Sequence, residues 1–297
     1  MPLTTFALSI EKSGPHAGIA TLKLDAGARP VVVLDETLVR RLQLSLAALP
    51  KNLNGLVLAS STERAFVAGA DLKAIMALSD DQLHRYLAFA SEVYAMLCWL
   101  PYPTAAAING AALGGGLELA MHCDALIAAP AAKPYAVGLP EAGLGICPGW
   151  GGTSLLAARI APAEALRRTA SGKPMMYDEA VAANLFDAVA PDQASLLSTC
   201  RNWIASRNMQ GRIYRDGAPL KHAGRTSIAP RVVTELDSVR SEIIKTPPGL
   251  AVATCVDAAT TKGWNACLAF EQRNLVRLRN TQAAKDAIEA FFAKSKK

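Results

Sequence analysis

No stretch of this sequence reaches the roughly 18–20 uninterrupted apolar residues of a membrane-spanning helix. The segment Met1 to Gly14 has no basic region followed by an apolar run, so no secretory signal is expected. It also lacks the arginine-rich, acid-poor character of an organelle presequence. The last residues, Lys294-Ser295-Lys296-Lys297, are not a peroxisomal address. A cytoplasmic protein is the expectation. Paired cysteines are missing too. Cys98, Cys123, Cys147, Cys200, Cys255 and Cys267 stand singly, and none forms a C-x-x-C pair. That argues against a structural zinc site or a redox motif and for buried thiols. The histidines, His16, His84, His122 and His222, are equally dispersed. His122 adjoins Cys123, but two neighbours on a helix are not a ligand set.

What is present is enough apolar material for a sizeable core. Apolar residues make up 51% of the 297 and charged residues 19%, which is not a disordered composition. That length allows one large domain or two ordinary ones. The net charge of +6 is uneven: residues 200–297 carry a net +9 and residues 1–199 a net −3. A basic C-terminal third suits a phosphorylated ligand, an acidic partner or nucleic acid. It equally suits a solvated surface.

Residues 6–10 and 18–24 alternate in hydrophobicity and predict a hairpin. Pro30 to Leu34 leads into a helical pattern from Asp35 to Leu49. Leu56 to Ala59 is a short apolar run of the buried-strand type. Helices are predicted from Asp71 to Leu78 and from Asp81 to Leu100, the second stopped by Pro101 and Pro103. Thr104 to Asn109 is a strand of small residues, followed by a glycine turn, a helix near Leu117 to His122, and a strand from Ala125 to Ala129. Repeated β-then-α units imply an α/β protein with roughly parallel strands. Pro162 to Leu185 predicts two short helices around Ser171-Gly172-Lys173. Residues 207–245 read as a polar connector with one helix, Arg231 to Ile244. Helical patterns then run from 249 to 293.

Three segments bear residues suited to chemistry. Gly114-Gly115-Gly116 precedes a helix and leaves backbone N–H groups uncovered, beside the positive end of the helix dipole. Such a turn suits a negative oxygen. Taken alone it is more often a packing turn. Glu118 follows in a mostly apolar helix, where a carboxylate is costly unless used. Ala68-Gly69-Ala70-Asp71 has the same design. There Asp71 reads as a helix N-cap, and the Ala70 N–H is a second candidate oxyanion donor. Gly138-Leu139-Pro140-Glu141 supplies another acid, followed by the rigid turn Pro148-Gly149-Trp150-Gly151-Gly152-Thr153. Alone, Glu141 would read as an acid at a helix start.

Together these segments resemble the enoyl-CoA hydratase/isomerase (crotonase) family. The matching pieces are Ala68 to Leu72, Asn109-Gly110 through Gly114-Gly115-Gly116-Leu117-Glu118-Leu119-Ala120, and Gly138 to Glu141 through Gly151-Gly152-Thr153. Thr169 to Gly172 and the tail from Leu268 to Lys294 look similar as well. The phrases around Ala70 and Glu141 look closest to the hydratase part of multifunctional fatty-acid oxidation proteins. The dehydrogenase part of those is not in this sequence, which has no G-x-G-x-x-G fingerprint after a strand. Connector 207–245 departs from the compact hydratases.

The resemblance implies an α/β fold: a crotonase-like spiral of ββα units over 1–200, holding the active site. Residues 201–297 would be a connector and C-terminal helical region of the same overall fold. It implies a hydratase that adds water to a 2-enoyl-CoA. Glu118 and Glu141 would be the catalytic pair, Glu118 as base and Glu141 as acid. The N–H groups of Ala70 and Gly115 would form the oxyanion hole. Ala68, Ala70, Asp71, Leu72, Lys73, Gly114 and Gly115 would bind the CoA thioester. It implies no metal and no cofactor, since coenzyme A belongs to the substrate. It also implies a homotrimer or dimer of trimers, in which Lys294 could contact phosphates from a neighbouring subunit. Two rival readings are an enoyl-CoA isomerase using one glutamate, and an RNA-binding or scaffolding relative suggested by the basic C-terminal third. No aromatic-rich stripe accompanies that charge.

Overall fold

The computed structural model describes residues 3–209 and 229–294. The part of the expected connector at 210–228 lies outside them. Two sheets organise the chain. The larger has six strands in the order β1 (Ala7–Ile10), β2 (Ile19–Leu24), β3 (Gly55–Ser60), β5 (Thr104–Ile108), β7 (Ala125–Ala128) and β10 (Ala188–Val189). β1 and β2 form the expected antiparallel hairpin, and every later pairing in this sheet is parallel. The smaller sheet runs β4 (Ala65–Val67), β6 (Ala111–Leu113), β8 (Ala136–Gly138) and β9 (Met175–Met176).

The two sheets interleave along the chain. β3 is followed by β4, β5 by β6, and β7 by β8, so each turn of chain gives one strand to each sheet before passing into helix. That is the spiral of ββα turns. The first turn contributes only an isolated parallel bridge, Leu34 with Ala70. Parallel strands need such crossovers, and the helices that make them cover the sheets.

Local sequence explains the helix boundaries. α1 (Glu36–Ala47) is capped by Asp35, which accepts from the Leu38 N–H at 2.8 Å. α2 (Leu72–Ala77) is capped by Asp71, which accepts from the Lys73 and Ala74 N–H groups at 3.1 Å each. Asp71→Ala should cost about 1 kcal/mol, read as a lower urea midpoint at unchanged slope. α3 (Asp80–Trp99) opens with a full capping box, Ser79 with Gln82, and closes ahead of Pro101.

The chain continues through α4 (Gly115–Met121), α5 (Gly152–Ala157), α6 (Pro162–Ser171), α7 (Tyr177–Ala182) and α8 (Leu196–Met209). The C-terminal helices are α9 (Ala229–Ile243), α10 (Pro247–Lys262), α11 (Trp264–Arg279) and α12 (Gln282–Lys294). Among the described residues, no helix is long and apolar enough to cross a membrane.

Burial sorts the strands by alternation. Ala105 and Ala107 of β5 join Val57, Ala125 and Ile127 in a cluster covered by Leu196, Cys200 and Ile204 of α8. Ala106 and Ile108 face the main core on the other side. The small residues of β5 therefore admit packed layers on both faces. The main core runs from Phe6 to Ala284, so the C-terminal helices share it. α11 packs on α3, and α12 packs on the short 3-10 turn Glu141–Leu144. All six cysteines are buried and none is in a disulfide.

Candidate active site

Three turns of the spiral deliver their site residues from equivalent places. Ala70 follows β4, Gly115 follows β6 and Glu141 follows β8, each just past the C-terminal end of a strand of the smaller sheet. Ligands of parallel α/β sheets gather at such ends. The turns are tied to one another: the Gly114 N–H donates to the Gly138 carbonyl at 2.8 Å.

The two amides expected as oxyanion donors are both without a backbone acceptor among the described residues. In the bridge to Leu34, the Leu34 N–H donates to Gly69 and the Leu34 carbonyl accepts from Asp71. Ala70 lies between, so its own N–H faces away from Leu34, and it has no acceptor among the described residues. Gly115 is the first residue of α4, so its N–H has no intrahelical acceptor. Both residues line one cavity of 310 Å³.

Each glycine of the triplet has its own reason. Gly114 adopts φ +53°, in the left-handed region, and a side chain there would stand 2.5 Å from the Glu141 carboxyl. A Cβ on Gly115 would strike the Trp150 ring, and one on Gly116 the Val67 carbonyl. Trp150 is held against α3 by an indole bond to the Leu87 carbonyl and by edge contact with Tyr86. The glycine triplet thus lets an aromatic wall and a carboxylate close on the turn.

Glu118 and Glu141 both line the cavity and both are buried, 1% and 9% exposed. Their surroundings differ. Glu118 Oε1 accepts from the Trp150 and Gly152 N–H groups, at 2.8 Å each. Glu141 Oε2 is buried without a hydrogen-bond partner among the described residues. Burial raises the Glu118 carboxyl well above its ordinary value, and the charges of Glu271 and Glu141 add to this. The two backbone donors oppose it. Burial lifts Glu141 to about 8, with Glu271 again contributing. Close buried carboxyls resist ionising together, so a negative charge on one favours the proton on its neighbour.

Of the remaining expected site residues, Ala68, Leu72 and Gly114 line the cavity with Ala70 and Gly115. Asp71 does not line it; its carboxylate caps α2 and lies 3.6 Å from the Arg29 guanidinium. Lys73 stands outside the lining too, with its ammonium 5.4 Å from the centre of the Phe292 ring on α12. Lys294 closes α12 and does not line the cavity, although Phe291 one turn earlier does.

The sequence did not reveal a further buried acid beside this site. Glu271 is fully buried on α11 and reaches the turn that holds Glu118. Trp150, Leu275 and Phe291 were also not foreseen as cavity walls. One signal for Glu271 was available: Trp264, Cys267, Glu271 and Leu275 recur at helical spacing, placing an acid on an apolar face.

The cavity is lined by two backbone amides without a described acceptor and by two buried carboxyls, groups able to hold a negative oxygen and to exchange protons. The enoyl-CoA hydratase/isomerase family model matches residues 14–236, and the chain belongs to that family. It is 38% identical over 176 residues to YngF of Bacillus subtilis (strain 168), which carries the provisional name enoyl-CoA hydratase/isomerase. That match takes in 59% of this chain and spans 65% of the length of that curated relative. An enoyl-CoA hydratase from Bacillus anthracis superposes with a TM-score of 0.59 at 27% identity, covering 97% of this chain and 96% of that one. The human mitochondrial delta3-delta2-enoyl-CoA isomerase superposes with a TM-score of 0.67 at 23% identity, covering 97% and 98%. At 23% the likeness is one of fold alone. The fold is the crotonase fold.

Proposed function

We propose that this protein hydrates 2-enoyl-CoA thioesters to 3-hydroxyacyl-CoA. The observation that carries the reading is the pair Glu118 and Glu141, buried on one cavity with opposed hydrogen-bond environments. Water addition to a conjugated thioester needs a base for the water, an acid for C2 and a sink for enolate charge. Glu118 has two backbone donors on one oxygen and is better equipped to carry negative charge. It is the base that takes a proton from water as the oxygen attacks C3. Glu141 leaves one oxygen, Oε2, without a donor and holds its proton to about pH 8. It is the acid that protonates C2. The enolate oxygen formed between these steps lies against the Ala70 and Gly115 N–H groups. Each donor of this kind contributes about 3 kcal/mol to the transition state over the ground state. The proton taken by Glu118 returns to Glu141 before the next turnover.

The apolar walls, including Ile75, Leu144, Ile146 and Leu275, suit an acyl chain. The CoA part would approach along Ala68 to Leu72, with Lys73 near a phosphate. Adding the protein to crotonyl-CoA, and separately to a longer 2-enoyl-CoA, should remove the absorbance of the conjugated thioester. No loss with either substrate, together with conversion of a 3-enoyl-CoA, would replace hydration by double-bond isomerisation.

A further inference from the structure

The turn before α5 divides its amides between two acids. The N–H groups of Trp150 and Gly152 hold Glu118. Those of Gly151 and Thr153, the residues between and after, donate to Glu271 at 2.5 and 3.0 Å. The Thr153 hydroxyl adds a third bond to Glu271, at 2.5 Å. Gly151 makes the division possible. Its φ is +95°, and the Trp264 ring of α11 fills the space where a Cβ would stand. The turn's own N-cap residue offers no side chain to this helix start, so the two glutamates serve it from other helices.

Glu271 is fully buried and does not line the cavity. An anchor for α11 would not require an acid. Trp264 and Leu275 on the same face already pack on this region. A buried carboxylate costs more than an apolar side chain of its size unless its donors are used. Those donors, on Gly151 and Thr153, alternate along one turn with Trp150 and Gly152, whose amides fix Glu118. We propose that Glu271 is a positioning residue for Glu118. It holds the 150–153 backbone so that the Trp150 and Gly152 amides converge on Glu118 Oε1. Its charge also faces the Glu118 carboxyl across the turn and favours the protonated form.

This inference rests on Glu118 being the acid–base group of the reaction proposed above. Glu271→Gln in the full chain tests it. The amide keeps the size but turns an N–H₂ group toward backbone donors and removes the charge. The kcat for crotonyl-CoA should fall about ten- to a hundredfold, with KM within about twofold. Isotope-edited infrared on ¹³C-glutamate-labelled protein, with Glu118→Gln identifying the band, should place the Glu118 transition about one pH unit lower. Glu271→Asp restores the charge and should return that transition while recovering only part of kcat. A purely structural Glu271 would lower the melting temperature and leave both kcat and the transition at wild type, and that result overturns the proposal. If Glu271→Gln does not fold, Thr153→Val removes one Glu271 donor and none from Glu118. An unchanged kcat and an unmoved transition in that variant overturn the proposal equally. The infrared readout needs no turnover, so a wild-type protein without hydratase activity leaves this test standing.

Discussion

Glu118→Gln is expected to lower kcat for crotonyl-CoA about 10³-fold, with KM moving only severalfold. Glutamine keeps an oxygen to accept the Trp150 and Gly152 amides, so the turn keeps its shape. What disappears is the ability to take a proton from water. The loss therefore falls on the chemical step and not on binding. A circular-dichroism melt near the wild-type value would accompany it. An isomerase that relied on Glu141 alone would keep activity on a 3-enoyl-CoA in this variant.

Glu141→Gln should reduce kcat by a similar factor, about 10³-fold, through loss of the proton for C2. Its effect on stability has the opposite sign. The folded chain holds the Glu141 proton up to about pH 8, whereas the unfolded chain releases it near the ordinary value of 4.5. Between those values the folded state binds more protons, so stability falls as pH rises through that window. A neutral glutamine is exempt. The variant should match wild type near pH 4.5 and exceed it at pH 8, by on the order of a few kcal/mol. Urea midpoints at the two pH values read this directly. Sites built for catalysis commonly sacrifice stability in this way.

The sequence carried much of the outer design. Asp35, Asp71 and the prolines after Leu100 mark helix ends that the structure keeps. The alternating hairpin and the strands expected at 56–59 and 125–129 all form, and all fall in the large sheet. The smaller sheet was not legible, because β4, β6 and β8 have three residues each and β9 has two. Runs that short carry no period. They nevertheless deliver Ala70, Gly115 and Glu141. Those positions were found through chemical residue types and the likeness to a family, and their convergence was not readable from pattern alone.

Glu271 was lost for another reason. It lies 120 residues from Gly151, and helical periodicity tells which face of α11 is buried but not what it meets. The same limit hid the role of Trp150, whose amide serves Glu118 and whose ring requires Gly115.

The fate of the water oxygen tests hydration by the two glutamates most directly. Crotonyl-CoA turned over in H₂¹⁸O and stopped early should give 3-hydroxybutyryl-CoA carrying one ¹⁸O at C3 by mass spectrometry. Glu118→Gln and Glu141→Gln should give almost none. Consumption of substrate without ¹⁸O in the product, or undiminished incorporation with either glutamate replaced, would contradict it.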